Sequence, residues 1–211
     1  MTLPFTAPEF FRLFARYNLA VWPAQIALIG LAIAVLALVF ARPLRSVRAI
    51  PALLALLWAW SGVAYHLAFF SEINPAAPLF GALFLAGAAA FAWEGVVRAR
   101  LRFECTWNAR CATGIALVAY ALIVYPLLAS QQGRGYPAMA TFGLPCPTTL
   151  FTFGVLAFLR PPYRPYVFVA PLLWAAVGTL GALLFGIHED LGLAAAGLAG
   201  ALFALYPARR A

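Results

Sequence analysis

The chain has 211 residues, 65% of them hydrophobic and 9% charged, and its fourteen basic residues against six acidic ones give a net charge of +8. A soluble domain carries about 25% charged residues, so this composition cannot cover a soluble surface. All of the basic charge is arginine, placed between apolar runs as topology signals are, which argues against nucleic-acid binding. With no lysine present, a retinal Schiff base is excluded.

In chain order, residues 1–17 predict a short amphipathic helix lying in the membrane interface. Thr6 is its N-cap, Pro8 sits in its first turn and Glu9 closes a capping box. Packing as a cap on the bundle is the alternative. The first sixteen residues lack the basic start, apolar core and cleavage site of a signal peptide.

Residues 18–211 predict one transmembrane domain. Apolar runs at 19–41, 50–70, 78–97, 112–129, 148–159, 166–186 and 191–206 approach the length that crosses a hydrocarbon core of roughly 30 Å, the fifth being short. Eleven of the fourteen arginines follow the first, third, fifth and seventh runs: Arg42, Arg45, Arg48, Arg98, Arg100, Arg102, Arg110, Arg160, Arg164, Arg209 and Arg210. The expected fold class is therefore all-α, a polytopic seven-helix bundle with its N-terminus outside and its C-terminus cytoplasmic. Leu56–Ala59 and Leu172–Ala175 share the string Leu-Leu-Trp-Ala, and the same offset aligns Phe69 with Phe185. This suggests a 3+1+3 parallel repeat, the arrangement of SWEET-type sugar carriers, although fold analogy does not establish transport.

Residues 135–150 form the longest interruption. Pro137, Pro145 and Pro147 restrict the backbone and Gly135 and Gly143 bend it, so a shaped re-entrant segment is expected to hold Cys146 against the bundle. Polar residues gather on the same outer side. His66 lies within apolar sequence, where it is either a proton carrier, ligand or substrate contact, or a neutral histidine bonded to a neighbouring helix. Gln25 follows Pro23 and could equally be interhelical glue. Asn74-Pro75, Thr148 or Thr149, and Glu189 with Asp190 have a structural reading as caps of spans three, five and seven.

The candidate pocket for a substrate or ion consists of His66, Cys146, Glu189, Asp190, Gln25, Asn18, Asn74, Thr148 and Thr149. His66, Cys146 and His188 are candidate metal ligands, but no spacing among them is diagnostic. Paired with His66, Cys146 would make an acyltransferase-like nucleophile with no obvious third orienting group. Cys105 and Cys111 read as ordinary cytoplasmic thiols, and three cysteines give no disulfide framework.

Tyr17-Asn18 with Trp22-Pro23-Ala24-Gln25, Tyr65-His66 with Phe69-Phe70, Ile73-Asn74-Pro75-Ala76, the run from Phe142 to Thr149, and Glu189-Asp190-Leu191-Gly192 resemble a bacterial family of multi-pass membrane proteins catalogued as a domain of unknown function. The resemblance covers almost the whole chain. It implies fold and membrane location, and no activity.

The leading expectation is a bacterial inner-membrane protein that transports or binds a small solute or metal ion through a periplasm-facing polar pocket. A membrane-embedded enzyme or redox protein using His66 and Cys146 is an alternative, and so is a structural or assembly subunit. The expected partners are the lipid bilayer and a second copy or membrane-complex subunit, with no nucleic acid; the cofactor is unknown.

Overall fold

The computed structural model describes residues 4–41 and 46–206. Arg42, Arg45, Arg209 and Arg210, used above to orient the chain, lie outside the described residues.

Helix α1, Ala7–Ala20, begins as its sequence dictates. The Thr6 hydroxyl accepts from the Glu9 amide at 3.4 Å, and the Glu9 carboxylate accepts from the Thr6 amide at 2.7 Å. Leu13, Phe14, Tyr17 and Asn18 are buried, so its apolar face packs on the bundle. It continues past Tyr17 to Ala20, and the first predicted span is shorter than expected: α2 is Ala24–Ala41. Pro23 separates the two because it lacks an amide donor and disfavours helix at the preceding Trp22.

Among the described residues, five helices are long and apolar enough to cross a membrane: Ala24–Ala41, Ser46–Glu72, Ala77–Val97, Ala109–Gln131 and Pro165–Phe185. They contain α2, α3 (Ser46–Trp60), α4 (Ala77–Phe91), α5 (Ala109–Ala119) with α6 (Tyr125–Gln131), and α8 (Val169–Phe185). Three π-helical segments interrupt them, at Ser61–Leu67, Ala92–Val97 and Tyr120–Val124. Their outer faces are apolar: Leu79 is 71% exposed and Leu183 69%. In water such surfaces would form one large hydrophobic patch, whereas lipid covers them at no cost.

At the fifth and seventh predicted spans stand shorter helices, α7 (Pro145–Leu156, 12 residues) and α9 (Gly192–Leu205, 14 residues). At 1.5 Å per residue they reach roughly 18 and 21 Å, less than a hydrocarbon core. Every residue of α7 except Cys146 is buried, enclosed by α3, α5, α8 and α9. It is the centre of the bundle. By contrast α2, its counterpart in the suggested repeat, leaves most of its surface exposed. Close approach to α5 is set by glycine: a Cβ on Gly154 would stand 2.9 Å from the Gly114 carbonyl oxygen, and one on Gly114 would stand 2.8 Å from that of Gly154. Small residues allow this kind of contact between apolar helices.

Both ends of α7 are tied down. Before it, Asn18 donates to the carbonyls of Pro137 and Met139, each at 2.7 Å, and accepts from the Thr141 hydroxyl at 2.7 Å. Ser61 donates to the Gly143 carbonyl at 2.8 Å. Gly143 has φ +99°, and a Cβ there would stand 2.4 Å from Leu28, so both its conformation and its contact require glycine. After α7, β2 (Leu159–Arg160) pairs antiparallel with β1 (Arg102–Phe103).

Several local expectations are corrected. Cys105 and Cys111 are disulfide-bonded, with Cα atoms 5.3 Å apart, because Asn108 caps α5 and turns Cys111 back towards β1. Asn74 is not the N-cap of the third span: its side chain accepts from the Ala76 amide at 3.0 Å in a turn, and α4 starts at Ala77. Thr148 and Thr149 do not cap α7, since proline is accommodated in a first turn and the helix already begins at Pro145. Cys146 therefore sits in a helix, not a loop. Glu189 and Asp190 do not cap α9, which follows a short 3-10 turn at His188–Leu191.

Candidate functional site

The N-terminal end of α7 borders a cavity of about 330 Å³, near the lower end of the roughly 300–1,000 Å³ typical of small-molecule pockets. Its roof is aromatic. Phe5 and Phe10 come from the N-terminal segment and stack on Phe185 of α8 with centroids 5.5 and 5.2 Å apart. Phe14, Phe70 and Phe80 extend the apolar wall. Ala76, Leu180 and Leu184 line it while being exposed on the outer surface of the bundle, so its mouth faces sideways.

One wall is polar. Asp190 lies in the turn before α9 and is almost fully buried. The Tyr125 hydroxyl donates to its Oδ1 at 2.5 Å. Burial is the largest influence on the carboxyl and raises its pKa from 3.8 to about 7; Glu189 adds to the rise, while the Tyr125 hydroxyl, the Cys146 thiol and Arg134 oppose it. Cys146, a free thiol, lines the same wall together with Tyr65, Asn74 and Trp174.

Of the nine pocket residues expected from sequence, the structure brings Cys146, Asp190 and Asn74 to this cavity. His66 stands one layer behind. It is fully buried in a ring of Tyr65, Phe70, Phe80, Phe84 and Trp174, with centroids 4.9–5.9 Å away. Neither of its nitrogens has a hydrogen-bond partner among the described residues. Glu189 is used elsewhere: its carboxylate accepts from Arg134 at 2.7 Å and from Gln132 at 2.9 Å, holding the start of the loop. Asn18 and Gln25 form a buried pair, the Gln25 amide donating to Asn18 Oδ1 at 3.0 Å, and serve the loop rather than the cavity. Thr148 and Thr149 are buried within α7 with hydroxyls unpartnered among the described residues.

His188 is exposed. No group of three or more His, Cys, Asp or Glu side chains is placed to hold a metal ion among the described residues, so His66, Cys146 and His188 do not assemble into a ligand set.

Sequence reasoning missed Tyr125, Trp174 and the phenylalanines of the N-terminal segment as wall residues. A signal existed for Tyr125 and Trp174. A tyrosine or tryptophan inside an apolar span carries a polar handle that has to find a partner when buried. Tyr125 also follows a π-helical segment and precedes Pro126, where the helix is already disturbed.

Fold and site together define a helical membrane protein built around a short buried helix, with an aromatic cavity at one end of it. The chain belongs to a family of unknown function, DUF6064, whose profile matches residues 7–211. Neither a curated protein nor a solved structure matches it.

Proposed function

We propose that this chain is a bacterial inner-membrane protein that binds or transports a small amphipathic solute, taken up from the outer leaflet into the cavity at the head of α7. The carrying observation is the composition of that cavity: aromatic rings on most sides, one buried carboxylate at Asp190, and a rim of lipid-facing residues. Such a site suits an apolar body with a hydrogen-bond-donating or cationic head. The rings cover the body, and Asp190, oriented by Tyr125, receives the head.

In this reading α1 is a lid. It is held at the rim by the Arg16–Glu72 ion pair at 2.8 Å and by Arg134 stacked over Phe11 at 5.0 Å. The cavity opens on the periplasmic side and the chain crosses the membrane seven times, with α7 and α9 as short crossings among longer neighbours. The arginines past the third and fifth runs then face the cytoplasm.

An enzymatic use of Cys146 is less well supported. His66 and Cys146 both approach Trp174, but no hydrogen bond joins them among the described residues.

Equilibrium binding tests the proposal. A fluorescent hydrophobic amine should bind the purified protein at pH 8 more tightly than its neutral isostere, and Asp190→Asn should remove that difference while the protein stays monodisperse. Equal affinity for both probes in the wild type, or an amine preference that survives Asp190→Asn, would reject the assigned role of the carboxylate. Failure of both probes to bind would reject the cavity as a solute site.

A further inference from the structure

A second, larger cleft of about 970 Å³ lies at the opposite end of α7, beneath the β1–β2 ribbon. Its charged lining is Arg100, Arg102, Arg160, Arg164 and Glu104. The ribbon places Arg102 directly opposite Arg160. Like charges across an antiparallel pair repel, since the two side chains rise from one face about 5 Å apart. Local carboxylates offset only part of this charge. Glu104 pairs with Arg160, and the buried Glu94 stands 4.0 Å from Arg100. Arg102 and Arg164 have no ion pair among the described residues.

The backbone is also shaped for the cleft. Ala99 has φ +51°, a left-handed conformation rare outside glycine. It closes the C-terminus of the α4 span: the Arg98 amide donates to the Trp93 carbonyl at 2.9 Å and the Arg100 amide to that of Glu94 at 2.8 Å. This turn lays Arg98 over the Trp93 ring at 5.0 Å and brings Arg100 to the cleft. Trp93 is 49% exposed and Trp107 81%. An exposed indole is typical of the headgroup level of a bilayer, and Trp93 carries an arginine there as well.

We propose that this cleft binds the phosphate of an anionic membrane lipid. Guanidinium forks match phosphate oxygens in pairs, and such a ligand would neutralise the facing arginines of the ribbon. The half-exposed Trp93, which carries Arg98 on its ring just before the Ala99 turn, favours a lipid headgroup over free phosphate, because it sets this end of the α4 span where headgroups lie. The site is independent of the solute cavity.

The test uses the full chain in mixed micelles with native mass spectrometry and thermal unfolding as readouts. Phosphatidylglycerol should be retained and should raise the melting temperature, phosphatidylcholine should do neither, and the retained adduct should weaken as salt is raised. Arg102→Gln with Arg164→Gln should lower phosphatidylglycerol affinity roughly thirtyfold, from the worth of two arginines near an anionic surface. Arg12→Gln, on the exposed face of α1, should leave it unchanged. Folding should survive the double change, because neutralising Arg102 relieves its repulsion with Arg160. Inorganic phosphate that gives the same stabilisation and displaces the lipid would reassign the site to a soluble anion and overturn the lipid proposal. Equal retention of both lipids, a salt-insensitive adduct, or wild-type affinity in the double variant would overturn the site itself.

Discussion

At the scale of single residues, the polar groups of this chain divide into those that hold the fold and those that face the cavity, and sequence alone does not separate them. Arg134 and Glu189 belong to the first group. Their side chains are 16% and 2% exposed and meet at 2.7 Å. Removing one partner strands the other charge away from water, so Arg134→Ala should destabilise the protein by about 3–5 kcal/mol, read as a lowered thermal midpoint in detergent. Asp190 belongs to the second group. Its pKa is raised to about 7 from an ordinary 3.8, so between these values the folded chain holds a proton that the unfolded chain releases. Stability contributed by the protonated form is therefore lost as pH rises through that window and levels off above it. Thermal midpoints recorded from pH 4 to pH 8 should show this fall, and Asp190→Asn should flatten it. Cys146 and Asp190 were legible in the sequence because each is chemically unusual beside proline or another acid. The role of His66 was not, because its depth relative to Tyr65 and Trp174 depends on how two helices rotate.

At the scale of elements, α7 shows what periodicity can and cannot reveal. Its apolar run marked a short helix from Thr148, with Pro145 and Pro147 read as part of the preceding loop, but its burial on all sides has no amphipathic signature, since a helix apolar all round can face lipid or protein alike. The distinguishing feature lies in glycines on different elements. Gly114 and Gly154 meet across α5 and α7, and Gly200 meets Phe153 from α9. Gly154→Leu should push α5 away and destabilise the bundle by about 1–3 kcal/mol or more, whereas the same change at exposed Gly30, where a Cβ meets nothing within 4 Å, should be close to neutral. Thermal unfolding of the two variants compares them directly. Capping was legible only where a polar residue had no tertiary partner to reach. Thr6 and Glu9 cap α1 as expected, while Glu189 and Asp190 were drawn off by Arg134 and Tyr125.

At the scale of the whole molecule, membrane residence was legible from composition, and among the described residues five helices have the length and hydropathy to cross. The number of crossings is harder to read, because two of the seven apolar runs form helices too short to be recognised by length. The Cys105–Cys111 disulfide sits next to the arginine-rich segment that follows α4, and disulfides persist mainly in oxidising compartments, whereas the orientation proposed above puts that segment in the cytoplasm. The proposed orientation rests on the four positively charged segments of the sequence. Fusion of a fluorescent protein to the C-terminus should therefore give active fluorophore, and alkaline phosphatase at the same point should stay inactive. The opposite pattern would invert the molecule and place the disulfide outside.

The brevity of α7 has a consequence for the bilayer. A helix of roughly 18 Å facing a hydrocarbon core of roughly 30 Å would ordinarily force the lipid to thin around it. Because α7 is enclosed by α3, α5, α8 and α9, its sides abut protein and not lipid. Its length is therefore set by packing inside the bundle and is released from the thickness of the surrounding membrane.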